Sequence, residues 1–366
     1  MRYLGRVCGV LLLITTSVYA TQLPPTPNTA VATPVIAERG AFDADRWNAI
    51  IENIWTRATA DGVSEKTIKS TLRYPAYIPS IVHRDKNQSE FKLTMDDYLA
   101  RMVRADRIKQ GRKMRVKYPT LLSRVEQKYG VPPHIILAFW GMESNFGEIK
   151  AGHKLIDAFI TLIYEGRREK FFGNQLNSLM KIADKNKLDI NDIHGSWAGA
   201  MGHFQFIPTT LAQYGVDGNG DKKIDIINNI SDAMFSAGNY LNKLGWNKNE
   251  RIVRRVILPA DFDLALLDGK TKMSLPEWAA MGVVNPDGSP IPQNDMVAGL
   301  VADVAAIEAQ RAQIIADSTA TPMDSDVAPQ PAIVAYLTYP NFYRIKKWNN
   351  SNWYAIAIAN LADELK

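Results

Sequence analysis

A chain of 366 residues, 46% hydrophobic and 22% charged, has ordinary globular composition and enough length for one large domain or two smaller ones. The net charge of +5 is mild, and no Lys or Arg run is dense enough to suggest nucleic acid. Scattered bases such as "RADRIKQGRKMRVK" fit a solvated helix face first and a carboxylate-bearing substrate second.

The first twenty residues combine Arg2 and Arg6 with the short apolar run "VCGVLLLITTSV" and the small-x-small site "VYA". The run is too short to span a bilayer comfortably, so residues 1–20 read as a secretory signal peptide cut after Ala20. The mature chain then carries +3 and loses Cys8, the only cysteine, so it can form no disulfide. No later segment has eighteen uninterrupted apolar residues, and a soluble exported protein is expected. Residues 21–41, rich in Pro and Thr, read as a flexible leader.

Structure is expected from Phe42. "DADRWNAIIENIWTRATADG" places Trp47, Ile50, Ile51, Ile54 and Trp55 at helical spacing and ends in Gly62. Ser64 caps a further short helix. The stretch from Thr94 to Gly130 reads as two or three helices. "VPPHIILAFWGMESNFG" opens on prolines suited to a first helical turn and closes on Gly147. Helical patterns continue through "GNQLNSLMKIADKN" and "SDAMFSAGNYLNKLGW". From Arg251 short, partly β-branched segments suggest a small sheet or capping subdomain. A helix over 302–316 and a disordered insertion over 317–330 follow, then an amphipathic C-terminal helix capped by Asn350 or Ser351. The expected fold is mainly α.

Three features invite chemistry. Glu143 sits in the last turn of an apolar helix, sharing a face with Ile136, Phe139 and Trp140. Helix C-terminus and apolar wall both favour the protonated carboxyl, the form a general acid needs. A glutamate simply reaching water at a helix end is the plainer alternative. "GSWAGAMGHFQFIPTT" packs small residues around Ser196 and Gln205, as either a ligand approach or a tight helix contact. In "YGVDGNGDKKID", Asp217, Asn219 and Asp221 hold positions one, three and five of a calcium loop, with Lys222 where Gly is usual and Asn228 where Glu is usual. Asp232 is a candidate for the missing carboxylate. An Asx-rich turn competes.

Taken together, these motifs resemble the B-type lytic murein transglycosylases, with a lysozyme-like α+β catalytic domain, an added helical region and a small β-containing C-terminal part. The resemblance covers residues 42–366. It implies that Glu143 is the single catalytic acid and that Ser196, Gln205, Tyr240, Asn349 and Tyr354 contact substrate. It also places Arg167 and Arg168 of "EGRREKFF" facing the substrate and Tyr98 in the cleft. It implies that Asp217, Asn219, Asp221, the Lys223 carbonyl and Asp232 hold a structural calcium ion within residues 217–232. No cofactor is implied for catalysis, and the five histidines lack zinc spacing. Partners would be peptidoglycan glycan strands and proteins of wall synthesis or remodelling, in the periplasm. Trp348 stands where the family usually carries tyrosine.

Ordinary glycosidases flank the bond with two carboxylates. Here only Glu143 is well placed, since Glu148 lies past the helix terminator. The family's reaction needs one: Glu143 protonates the glycosidic oxygen, then takes the proton from the muramic 6-hydroxyl, which closes a 1,6-anhydro ring without water. A lysozyme-like hydrolase and an inactive glycan-binding protein are the competing readings.

Overall fold

The computed structural model describes residues 42–87, 93–149, 152–320 and 332–366. The expected signal peptide and leader lie outside the described residues. Helix α1 (Ala44–Ala60) starts where Asp43 accepts the Arg46 N–H, and Ser64 caps α2 (Glu65–Leu72) as expected. The helices α3 (Pro79–Lys86), α4 (Met95–Met102), α5 (Ala105–Lys117), α6 (Pro119–Tyr129) and α7 (Pro133–Ser144) follow. Proline opens α3, α6 and α7, where its missing N–H costs nothing.

Helix α7 is the hub. Every residue from Ile135 to Ser144 is buried, the pattern of a helix enclosed on all sides. Around it stand α5, α6, α11 (Ile230–Lys243) and α15 (Asn352–Glu364). The two-residue strands β1 (His153–Lys154) and β2 (His194–Gly195) pair antiparallel. Between them run α8 (Leu155–Glu165) and α9 (Glu169–Asn186), and after them comes the short α10 (Pro208–Tyr214).

A second, smaller core forms between α11 and α15. Strands β3 (Val253–Leu258), β4 (Asp268–Ser274), β5 (Val297–Val301) and β6 (Ile333–Thr338) make an antiparallel sheet in the order β3-β6-β5-β4. Ser274 and Glu277 form a capping box on α12 (Leu275–Ala280), whose Trp278 is fully buried and donates to Ala298 O at 2.9 Å. The small sheet expected after Arg251 is therefore present. Helix α13 (Val304–Ala320) runs into the first residues of the segment expected to be disordered, and the remainder of that segment lies outside the described residues. Helix α14 (Pro340–Trp348) and α15 then return the chain to the main core, with Ser351 as the cap of α15. That return carries Trp348, Asn349 and Tyr354 to the end of α7. The fold is mainly α with small antiparallel sheets, as the sequence implied.

Candidate active site

Helix α7 stops abruptly. Asn145, Phe146 and Gly147 take positive φ in succession, at 49°, 60° and 84°, so the left-handed turn begins two residues before the glycine. Glu143 is held just inside this end, 6% exposed. Its Oε1 accepts the Tyr354 hydroxyl at 2.5 Å and the Trp348 indole N–H at 3.1 Å. Burial pushes its pKa up to about 7, against the opposing pull of these two donors. No described residue bonds Oε2. With both donors on Oε1, the acid's own proton belongs on Oε2. The group can therefore release a proton near neutrality and hold the resulting carboxylate on two fixed donors.

An aromatic wall adjoins it. Trp348 lies 4.7 Å from Phe139, 4.9 Å from Tyr240 and 5.3 Å from Phe206, ring centre to ring centre. Tyr240 stacks on Tyr214 at 4.5 Å, and its hydroxyl donates to Lys347 O at 3.3 Å. Burial raises the Tyr240 pKa to about 12. Burial and then the Glu143 charge do the same for Tyr98, with Arg107 opposing, so Tyr98 lies within electrostatic reach of the acid. Asn349 is buried, and its Oδ1 has no partner among the described residues.

Ser196 and Gln205 lie on one glycine hairpin and do not bond Glu143. Ser196 N–H donates to Ala200 O at 2.7 Å, and its Oγ accepts the Ala200 N–H at 3.0 Å. Gln205 has φ of 49°, and its side-chain amide donates to Gly202 O at 3.0 Å. The hairpin glycines serve close packing: a Cβ on Gly199 would come within 2.2 Å of Phe159, and one on Gly202 within 2.5 Å of Ile226 O. Arg167 and Arg168 stand apart from this group. Both bind buried Asp85 of α3, Arg167 through Nε at 2.8 Å and Arg168 through Nη2 at 2.7 Å. Burial works to raise the Asp85 pKa, but the two guanidiniums hold it below the ordinary value.

The acidic loop is folded on itself. Asp217 accepts the N–H groups of Gly220 and Lys222 at 2.6 and 2.7 Å, and Asp221 accepts that of Lys223 at 2.8 Å. Asn219 Oδ1 accepts the Asp221 N–H at 3.1 Å. Asp232 is fully buried and ties both ends, accepting from Gly218 and Asp225. Its pKa is raised by burial and also by the charges of Asp217 and Asp221. Hard oxygen donors at alternate positions suit a dication in kind. Among the described residues, no three His, Cys, Asp or Glu stand close enough to form a site unaided.

The sequence marks Trp348 only as standing where the family usually carries tyrosine, whereas the structure makes it a donor to the acid. Sequence reasoning also missed Asp85 and Phe206. Phe139, four residues before Glu143 on one face, was the legible part of the wall.

The chain matches the Transglycosylase SLT domain over residues 46–363. It is 29% identical over 266 residues to membrane-bound lytic murein transglycosylase B of Escherichia coli K12, covering 72% of this chain and 65% of that protein. Its fold superposes with a TM-score of 0.76 on SltB3 from Pseudomonas aeruginosa in complex with NAG-anhNAM-pentapeptide, at 32% identity over 87% of this chain and 79% of the other. Escherichia coli lytic transglycosylase Slt35, in complex with calcium, gives a TM-score of 0.69 at 26% identity over 87% of this chain and 92% of the other. The match of sequence domain and fold around a buried glutamate shows that this chain belongs to the SLT-domain transglycosylase family.

Proposed function

We propose that this protein cleaves the β-1,4 bond between N-acetylmuramic acid and N-acetylglucosamine in peptidoglycan without water, leaving a 1,6-anhydro-muramic end. The observation that carries the reading is the isolation of Glu143. Burial and two neutral donors account for its altered pKa, with no second carboxylate contributing among the described residues. Glu148, the nearest acid in sequence, is exposed and bonded by Asn145 at 2.6 Å and Gln110 at 3.2 Å. A hydrolase of the usual kind needs that second carboxylate.

Glu143 gives its Oε2 proton to the bridging oxygen as the bond from C1 breaks. The substrate's acetamido group stabilises the cation at C1. Tyr354 and Trp348 hold the new carboxylate, which then takes the proton of the muramic 6-hydroxyl. O6 closes onto C1, and Glu143 returns to its acid form. An internal nucleophile already has a high effective concentration, so excluding water from the buried carboxyl carries little penalty. The SltB3 complex with an anhydro-muramic ligand supports this product.

Asn349, with its unmatched Oδ1, is suited to accept from a sugar hydroxyl or amide, and Ser196 and Gln205 to line the neighbouring subsite. Tyr240 and Tyr98 offer ring faces. Arg167 and Arg168, oriented by Asp85, present charge toward the peptide carboxylates. The acidic loop would hold calcium through Asp217, Asn219, Asp221, the Lys223 carbonyl and Asp232, as a brace between the hairpin and α11. The calcium-bound Slt35 relative supports that assignment. The chain would act in the periplasm after export. Among the described residues no helix is long and apolar enough to cross a membrane.

Glu143→Gln tests the assignment on purified sacculi, read as turbidity loss. General acid–base catalysis is worth about 10²- to 10⁴-fold, so activity should fall by at least that factor. Residual activity within about tenfold of wild type would remove Glu143 from the chemistry.

A further inference from the structure

One residue, by its side chain and its backbone, joins three segments that lie apart in the sequence. His203, half buried in the glycine hairpin, accepts the Trp140 indole N–H on Nδ1 at 3.0 Å. Its carbonyl accepts Ser144 Oγ at 2.7 Å, and the same Ser144 oxygen accepts the Gly147 N–H at 2.9 Å. Its own N–H donates to Ile226 O in the acidic loop at 3.3 Å. Trp140 lies one turn before Glu143 and Ser144 directly after it, so these bonds grip the last turn of α7 on both sides of the acid. The terminator is shaped to the ring: a Cβ on Gly147 would come within 2.5 Å of the imidazole.

The chemistry of the bond is specific. Nδ1 accepts only in the neutral ring protonated on Nε2. Burial keeps the ring neutral by holding its pKa below the ordinary value, with Asp225 opposing. Trp140 is 2% exposed, so its N–H has no water to turn to if the acceptor is lost.

We propose that His203 is a positioning residue for catalysis, fixing the turn that carries Glu143 against the hairpin and the acidic loop through Trp140 and Ser144. It makes no bond to Glu143 and acts through the residues on either side of it. The proposal rests on the reading of Glu143 as the acid.

The test compares three variants. In His203→Asn the amide oxygen stands where Nδ1 stood. His203→Ala removes the acceptor, and His203→Gln sets it one bond too far out. Displacing a reacting group by about 1 Å costs about a hundredfold, so Ala and Gln should lower kcat on soluble glycan strands about 10- to 100-fold with KM within about twofold. Asn should restore kcat to within about threefold of wild type by the same geometric argument. The Trp140 indole N–H resonance should move in Ala and Gln and return in Asn. Wild-type kcat in Ala or Gln would overturn the proposal. So would a loss confined to KM, or an Asn variant that regains the resonance and stays as slow as Ala. Failure of the acid assignment is separately visible, because Glu143→Gln would then remain active while the indole resonances still report the state of the His203 bond.

Discussion

Two neutral donors on a single oxygen set how Glu143 responds to pH. Both favour the carboxylate, Tyr354 more strongly than Trp348, and burial outweighs them. Activity that needs the protonated acid should hold below the pKa of about 7 and decline above it. Tyr354→Phe and Trp348→Phe each delete a donor and keep a ring, so both should move this alkaline limb to higher pH, Tyr354→Phe further. A pH–rate series on soluble glycan strands checks the order, and a shift to lower pH would contradict it. The same burial acts on stability. Below the unfolded pKa of about 4.5 both states hold the proton, and Glu143 costs nothing. As pH rises to about 7 the unfolded chain ionises first, and the fold loses up to about 3 kcal/mol. Glu143→Gln should therefore melt at the wild-type temperature near pH 4 and above it near pH 8. Equal melting curves at both pH values would mean the carboxyl is not held neutral. The acid itself was legible in the sequence, because a lone carboxylate behind an apolar run is conspicuous. Its donors were not. Trp348 and Tyr354 lie 205 and 211 residues further on, and periodicity carries no information over that distance. The resemblance supplied Tyr354 as a substrate contact, and only the geometry made Trp348 a hydrogen-bond donor.

At the scale of elements, Asp85 links α3 to the loop between α8 and α9. Its pKa is depressed, so its contribution is present above the unfolded carboxyl range and is lost as pH falls through the lower folded value. Asp85→Asn should cost on the order of 2 kcal/mol at pH 7, less than the ~3–5 of a fully buried pair because the Arg167 side chain is 51% exposed. The difference should vanish in acid. Freeing Arg167 and Arg168 should also raise KM for peptide-bearing strands, and unchanged KM would assign the pair to stability alone. The acidic loop makes a second element-scale prediction. Calcium should raise the melting temperature, by the equivalent of about 2.7 kcal/mol at a hundredfold excess over Kd. Magnesium should do less, and Asp232→Asn should abolish most of the response. Coincident curves with calcium and with chelator would leave the loop as an Asx-rich turn. Elements with strong local chemistry were readable from the sequence: Ser64 caps α2 as expected, Ser351 is the one of its two candidate caps that α15 uses, and prolines open α7. Strand β5 was not, because "VAGLV" is five residues, nearly all buried, and shows no alternation to separate strand from helix.

For the molecule as a whole, the two cores explain why the C-terminal helices matter to an acid placed near the middle of the chain. The β-containing unit is inserted between α11 and α14, and α14 and α15 close back on α7 to complete the site. The hydrophobic pattern announced a change of texture at Arg251 but could not show that the chain returns to its first core, since that depends on long-range packing of Phe342, Ile345 and Tyr354. Among the described residues one carboxyl stands at the site where hydrolysis asks for two, and the water balance of the proposed reaction rests on that count. Digestion of sacculi in ¹⁸O-labelled water, followed by mass analysis of the muropeptides, measures the balance directly. The account predicts products ending in 1,6-anhydro-N-acetylmuramic acid, one water lighter than the reducing sugar and without label at C1. Reducing ends carrying the label as the main product would contradict it.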